Sequence, residues 1–269
     1  MADIKKMTFI KGRVSLFDKP TTDGQHIDEA LFGMKCEILE NVDGFYKVRT
    51  EYGYEGYIHS DSIIEADYEP DSIIIAPSAD AYVAPKLYHG PTVSLPRGAR
   101  VKVGELAEDD RFREIITPNG EKLYVFNRLI APFKLKSDED RKNENEDMMR
   151  DLIVRTAKKY EGTCYRWGGK TILGIDCSGL AFMSYYLNGY YIFRDAKPDF
   201  QTKFRKIGWN EVKKGDLLYY PGHVAIYMGD GEIIHSSSSY GCVIVNDLDP
   251  LSLKCRESLK DIICACTFF

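Results

Sequence analysis

The alternation of apolar and polar positions changes character near the middle of the chain. Up to about residue 131 the apolar runs are short: VSLF, CEIL, YKVRT and GYIHS are β-prone pieces broken by Gly, Asp and Pro turns. The order loosely repeats. LFGMKCEIL has a counterpart in LPRGARVKV, and GFYKVRT with GYIHSDSII has one in DRFREIIT with LYVFNRLI. Two copies of one small all-β barrel are predicted, over residues 1–68 and 69–131, each marginal alone at that size. Residues 132–145 are polar and dense in charge and read as a solvated linker.

From residue 146 the period lengthens. Met149, Leu152, Ile153, Ala157 and Tyr160 recur at helical spacing, with Gly162 as a stop. A second helix is predicted from near Cys177 to about Asn188, ended by Gly189. GDLLYY, HVAIYMG, EIIHSS, CVIVN and IICACTFF then read as strands, and GDG joins two of them as a tight hairpin. Residues 146–269 are therefore a helical part followed by an antiparallel sheet, and the chain as a whole is α+β.

With 269 residues, 44% of them hydrophobic, the chain is long enough for more than one packed core. A net charge of −5 argues against a general nucleic-acid binder. No apolar run reaches the roughly 18 residues of a membrane span. The start, MADIKKMTFIKGR, lacks the apolar stretch of an export signal, so a cytoplasmic protein is expected unless a leader was removed. The seven cysteines, scattered and odd in number, fit free thiols in a reducing compartment. Cys264 and Cys266 share a strand face; a metal would need two further ligands, none local, and ordinary buried thiols are expected. GGKT at 168–171 has Cys164 where a phosphate-binding loop requires glycine, which removes nucleotide binding. No metal or cofactor is expected.

The candidate chemistry begins at Cys177, in DCSGL. A lone cysteine is usually a small buried hydrophobe. Here it falls in the first turn of a helix, where the peptide dipoles favour the reactive thiolate, with Asp176 as cap and Gly179 allowing close approach. Of five histidines, His26, His59 and His89 lie in the first half. His223 and His235 lie on strands joined by the GDG hairpin, where they can be neighbours across the ladder. Two histidines satisfied within a sheet would be the bland alternative. One cysteine with two histidines instead offers a nucleophile, a base and an orienting group. Neutral His235 can accept from the His223 ring, so activity is expected to fall as this pair becomes protonated. The Cys177 N–H is the default oxyanion donor.

At these residues the sequence resembles a known family. YRWGG at 165–169, DCSGL at 176–180, GDLLYY at 215–220, HVAIYMG at 223–229 and IIHSS around His235 look like the NlpC-type, papain-like cysteine peptidases of bacterial cell walls. The likeness covers about residues 145–269, and the preceding barrels resemble bacterial SH3-like domains. It implies a hydrolase cutting the γ-D-glutamyl–diamino acid bond (L-Lys or meso-diaminopimelate) of peptidoglycan peptides. The expected substrates are fragments with free N-terminal L-Ala, met during murein recycling. The implied triad is Cys177, His223 and His235. Tyr165 and Trp167 match pocket aromatics, or serve the core. Asp176 and Ser178 contact the substrate, or Asp176 only caps its helix. Arg194 and Asp195, in FRDA, match a segment lining the site, with Ala196 where serine is frequent. In relatives specific for free L-Ala an acidic residue of the first barrel binds the ammonium; Glu51 is preferred to Glu55, and Tyr82 would help close the pocket. Rival readings are an acyltransferase or lipid-acting relative, marked by an apolar groove, and a wall-binding protein using its barrels.

Overall fold

Alternation in the run Arg13–Phe17 buries Val14 and Leu16 and leaves Arg13, Ser15 and Phe17 half-buried, which is how a strand with one covered face is built. The structure, a computed structural model, describes residues 6–255, 259 and 261–269. The chain divides into two compact units, residues 1–134 and 135–269.

In the first unit seven strands form one antiparallel sheet. Their order is His26–Leu31, Arg13–Phe17, Glu55–His59, Phe45–Thr50, Lys35–Val42, Met7–Phe9, Ile63–Glu65. A five-stranded sheet follows, ordered Lys122–Phe126, Phe112–Ile116, Arg100–Leu106, Ser72–Ile74, Ile130–Pro132, together with the hairpin of Ser78–Ala81 and Val93–Pro96. The internal repeat is clearer in the backbone than in the letters. Gly33 (φ 77°) leads into Lys35–Val42 as Gly98 (φ 94°) leads into Arg100–Leu106. The 3₁₀ turns Ser60–Ser62 and Asn127–Leu129 each precede a short closing strand. At Gly33 a Cβ would sit 2.0 Å from the Arg100 carbonyl oxygen, so only glycine allows that approach. Leu95, Val101, Ile115 and Val125 form the core of the second copy, and Phe32 packs into it.

In the second unit the helix Glu146–Lys158 buries Met149, Ile153, Val154 and Ala157 at helical spacing. Its Arg150 is also buried. The guanidinium reaches the Asp216 carboxylate at 2.7 Å and the Thr267 hydroxyl at 3.0 Å, which ties the helix to the sheet. The helix Cys177–Tyr186 is buried along its whole length, the mark of a central helix covered on all sides. Six antiparallel strands complete the unit, ordered Arg205–Ile207, Cys264–Thr267, Leu217–Tyr220, His223–Gly229, Glu232–Ser237, Cys242–Asp247. Asp230 and Gly231 both have positive φ (51° and 81°) and close the GDG hairpin, as a primed turn requires.

The stretch expected to be a solvated linker carries structure. Ser137 caps a helix, Asp138–Asn143, through a reciprocal capping box with Asp140. Glu144 accepts a hydrogen bond from the Tyr190 hydroxyl at 2.6 Å and pairs with Lys136. Charge density alone did not separate a capped helix from solvated chain, because the same acidic residues serve both.

Candidate active site

Cys177 is the first residue of its helix, and Asp176 is the N-cap, its Oδ1 accepting from the Gly179 N–H at 2.6 Å. The thiol is buried and is hydrogen-bonded by the backbone amides of Val224 and Ser178. Val224 directly follows His223, so the start of the strand His223–Gly229 is brought against the sulfur. The electrostatics differ from the helix-dipole expectation. Burial first, then the Asp176 carboxylate, push the Cys177 thiol up to about 11, against the two amides and Arg194, which pull it down. A carboxylate at the cap and the loss of water outweigh the helix end. Burial and Asp176 thus favour the protonated thiol.

The two histidines meet as the hairpin predicts, with one refinement. The ladder pairs Ile226 with Ile234. His235 is thus diagonal to His223 rather than directly opposite. The rings bridge that diagonal: His223 Nε2 lies 2.7 Å from His235 Nδ1. Burial, then the neighbouring His235, lower the His223 imidazole to about 4, while Asp176 opposes this. Burial also lowers His235, opposed by its hydrogen bond to Asn246. Both rings are therefore neutral near pH 7. With Nε2 of His223 occupied by His235, its Nδ1 is the nitrogen left to exchange a proton with substrate or nucleophile.

Cys177, His223 and His235 share a cavity of about 400 Å³, together with Tyr165, Trp167, Tyr220, Gly222 and Ser237. The resemblance-based aromatics are thus in the walls. Burial, then the Cys177 and Asp176 charges, push the Tyr165 hydroxyl up to about 12, so it remains a donor. Trp167 is 57% exposed, a partly wetted wall rather than core.

The polar residues expected on the substrate side lie elsewhere. Arg194 is 1% exposed. It donates to both Asp176 oxygens (3.0 and 3.1 Å), the Ser178 hydroxyl (2.8 Å) and the Gly169 carbonyl (3.2 Å). Asp176 also accepts from the Gly168 N–H at 2.7 Å and the Ser178 hydroxyl at 3.2 Å. These groups brace the turn that presents the thiol. The Asp176 carboxylate thus accepts five hydrogen bonds within the fold, which fits the cap alternative. Asp195 pairs with Lys197 at 3.2 Å. Asp176, Ser178, Arg194 and Asp195 are not among the cavity walls.

Glu51 and Tyr82 belong to the first unit. Glu51 is ion-paired to the buried Arg100 and accepts from the Lys35 N–H at 2.9 Å. Its charge is met inside the fold, which weakens its candidacy as an ammonium site. Glu55, not preferred, pairs with Arg49 at 2.8 Å. Tyr82 is buried, hydrogen-bonds through its backbone to Tyr124, and sets its ring edge-on to Phe112.

Sequence reasoning missed Asn246, whose Oδ1 accepts from the outer nitrogen of His235, Nε2, at 2.9 Å. The signal was present: one amide in the apolar strand run CVIVN beside the histidine strand. Among the described residues no group of three or more His, Cys, Asp or Glu could hold a metal, and no helix is long and apolar enough to cross a membrane.

A nucleophile helix set against a base-bearing antiparallel sheet is the layout of papain-like cysteine peptidases. The comparisons agree. Residues 162–254 match the NlpC/P60 family, and residues 12–64 match the bacterial SH3 domain family. Dipeptidyl-peptidase 6 of Lysinibacillus sphaericus is 33% identical over 261 residues, covering 93% of this chain and 94% of that one. A γ-D-glutamyl-L-lysine dipeptidyl-peptidase of Bacillus cereus is 26% identical over 230 residues, covering 77% of this chain and 66% of that one. The crystal structure of an NlpC/P60 family protein from Bacillus cereus superposes with a TM-score of 0.79 over 97% of this chain and 98% of that one, at 21% identity, a likeness of fold. This chain belongs to the NlpC/P60 family of cysteine peptidases.

Proposed function

We propose that the enzyme hydrolyses the γ-D-glutamyl–diamino acid bond of short peptidoglycan peptides, preferring those with free N-terminal L-Ala, in cytoplasmic recycling of wall peptides. The observation that carries the peptidase chemistry is the 2.7 Å contact between the His223 and His235 rings in the cavity that also holds Cys177. The substrate class is supported by the names of the relatives, two of them γ-D-glutamyl-L-lysine dipeptidyl-peptidases. The two sheets of the first unit are taken as two SH3-like modules, the second more diverged.

Cys177 passes its proton to His223 Nδ1 as the sulfur attacks the γ-carbonyl of D-Glu. His235 stabilises the imidazolium by accepting from Nε2–H. The oxyanion is held by first-turn amide donors at Cys177, where helix N–H groups lack intrahelical partners. Imidazolium His223 protonates the leaving amine, and a thioester remains. Water deprotonated by His223 resolves it. Tyr165 and Trp167 line the approach. Glu51 and Tyr82 carry no role in this scheme.

The test is digestion of defined muropeptides, free or acylated at the N-terminal amine, by wild type and Cys177→Ala. Release of L-Ala-γ-D-Glu by wild type alone is expected, fastest from the free amine. Equal rates on free and acylated peptides would remove the free-amine preference. Turnover by Cys177→Ala would remove the nucleophile.

A further inference from the structure

Resting on that reading of the cysteine–histidine pair, the geometry points to Asn246 as a positioning residue that fixes the tautomers of both histidines. It ends the strand run CVIVN and lies outside the family motifs.

The chain of hydrogen bonds permits one proton arrangement. The Lys254 carbonyl oxygen can only accept, and it lies 2.5 Å from Asn246 Nδ2. The amide orientation is thereby settled, with Oδ1 turned to His235 Nε2 at 2.9 Å. Oδ1 only accepts, so His235 carries its proton on Nε2. Its Nδ1 is then a bare lone pair, 2.7 Å from His223 Nε2, and that nitrogen must bear a proton. The result is a bare Nδ1 on His223, the form a proton acceptor needs. Reversing the His235 tautomer would face two N–H groups at the 2.7 Å contact, or leave His223 with its proton on Nδ1.

The placement is built into the fold. Asn246 pairs with Ile233 in the ladder, on the face His235 shares two residues on. It is 1% exposed and His235 is 4% exposed, so water does not compete for these bonds. A buried amide in an apolar strand costs stability unless both ends are bonded, and here both are. Around the histidines the titratable groups are Cys177, the Asp176 carboxylate acting on His223, Tyr220, whose ring lies 5.9 Å from that of His223, and Tyr165 and Asp261 in the walls of the same cavity.

The test has a readout independent of substrate. Long-range ¹H–¹⁵N NMR of the full-length enzyme near pH 7 reads which ring nitrogens are protonated. Wild type is expected to show both histidines as Nε2–H. A His235 protonated on Nδ1 would overturn the inference whatever the kinetics. Asn246→Leu removes the acceptor. It is expected to mix the tautomers and lower kcat about 10–100-fold, the scale seen when metal-bound histidines lose their outer partner, with KM nearly unchanged. Asn246→Asp retains the acceptor towards His235 and adds charge, while losing the donor to the Lys254 carbonyl. It should keep the Nε2–H tautomers and most of kcat at alkaline pH, and move the acid limb up by about 1–3 pH units. Wild-type kcat and pH profile in Asn246→Leu, or a folded Asn246→Asp enzyme that keeps the Nε2–H tautomers yet is as inactive as Asn246→Leu, would overturn the assignment. Should Asn246→Leu not fold, the wild-type spectrum and Asn246→Asp decide. Failure of wild type to cut any muropeptide would refute the substrate assignment and leave the tautomer measurement standing.

Discussion

Acidification is expected to cost this protein stability before it costs activity. The perturbation is protonation of His223, held down at about 4 by burial and by His235. In the unfolded chain the same imidazole takes up its proton near 6.5. Between those values the unfolded state binds the proton and the folded state does not, so stability falls as pH falls. The contribution is complete above about 6.5 and fully lost near 4. At about 1.36 kcal/mol per pH unit the total is roughly 3 kcal/mol, a large share of the 5–15 kcal/mol typical of a domain. His235 is lowered too and acts in the same direction. Catalysis needs neutral His223 in the folded enzyme, so its acid limb should lie near 4. The assay pairs kcat/KM against pH with urea unfolding of wild type and His223→Gln at each pH. The stability difference between them should vary by about 3 kcal/mol between pH 7 and 4. Activity half lost at pH 6–7, or a stability difference that does not move with pH, would show an imidazole in contact with water and refute the reasoning.

Other outcomes follow from neighbouring groups. Because burial and Asp176 push the thiol up to about 11, alkylation of Cys177 by iodoacetamide should keep accelerating from pH 7 to 10; a plateau already at pH 5 would mean a resting thiolate–imidazolium pair. Arg194→Met strands the buried Asp176 carboxylate and should cost about 3–5 kcal/mol in urea unfolding, with a loss under 1 kcal/mol refuting the brace. Cys164 and Cys242 are bridge partners in antiparallel chain segments, bonded so that neither pairs with the other through its own N–H. Such positions hold Cα atoms about 4.5 Å apart, within disulfide reach. Oxidised glutathione should therefore close that bridge, releasing two reduced glutathiones, and peptide mapping that finds only mixed disulfides would refute it.

How far the letters foretold the structure depends on what each residue's partners are. The strand and helix runs of the second half were legible because burial follows a local period: Met149, Ile153 and Ala157 point inward as their spacing requires. That Cys177, His223 and His235 would share a cavity was legible because a helix start and a hairpin register are also local features. Arg194 was misplaced because its partners, Asp176 and Gly169, are distant in sequence, and nothing in FRDA distinguishes an arginine facing substrate from one bracing a turn. Glu51 shows the same limit, since its partner Arg100 comes from the other half of the repeat. Asn246 was overlooked because its meaning lies in which atom of the amide faces which neighbour, and that is fixed by a carbonyl at Lys254.

The thiol sits between two polar networks. One runs from Gly169 through Arg194 and Asp176 to Ser178 and sets where the nucleophile's helix begins. The other runs from His223 through His235 and Asn246 to the Lys254 carbonyl and sets where the base keeps its proton. No hydrogen bond above joins them. Stability losses from Arg194→Met and Asn246→Leu should accordingly add to within about 0.5 kcal/mol in the double variant. Turnover should behave otherwise. Each change degrades the same proton transfer between Cys177 and His223, so once one has disordered it the second has less to remove, and the double variant should lose much less kcat than the product of the single losses. Urea unfolding and kcat from the same four proteins give both results. Additive losses in kcat would mean that the two networks serve separate steps, and the single shared event at the thiol would have to be abandoned.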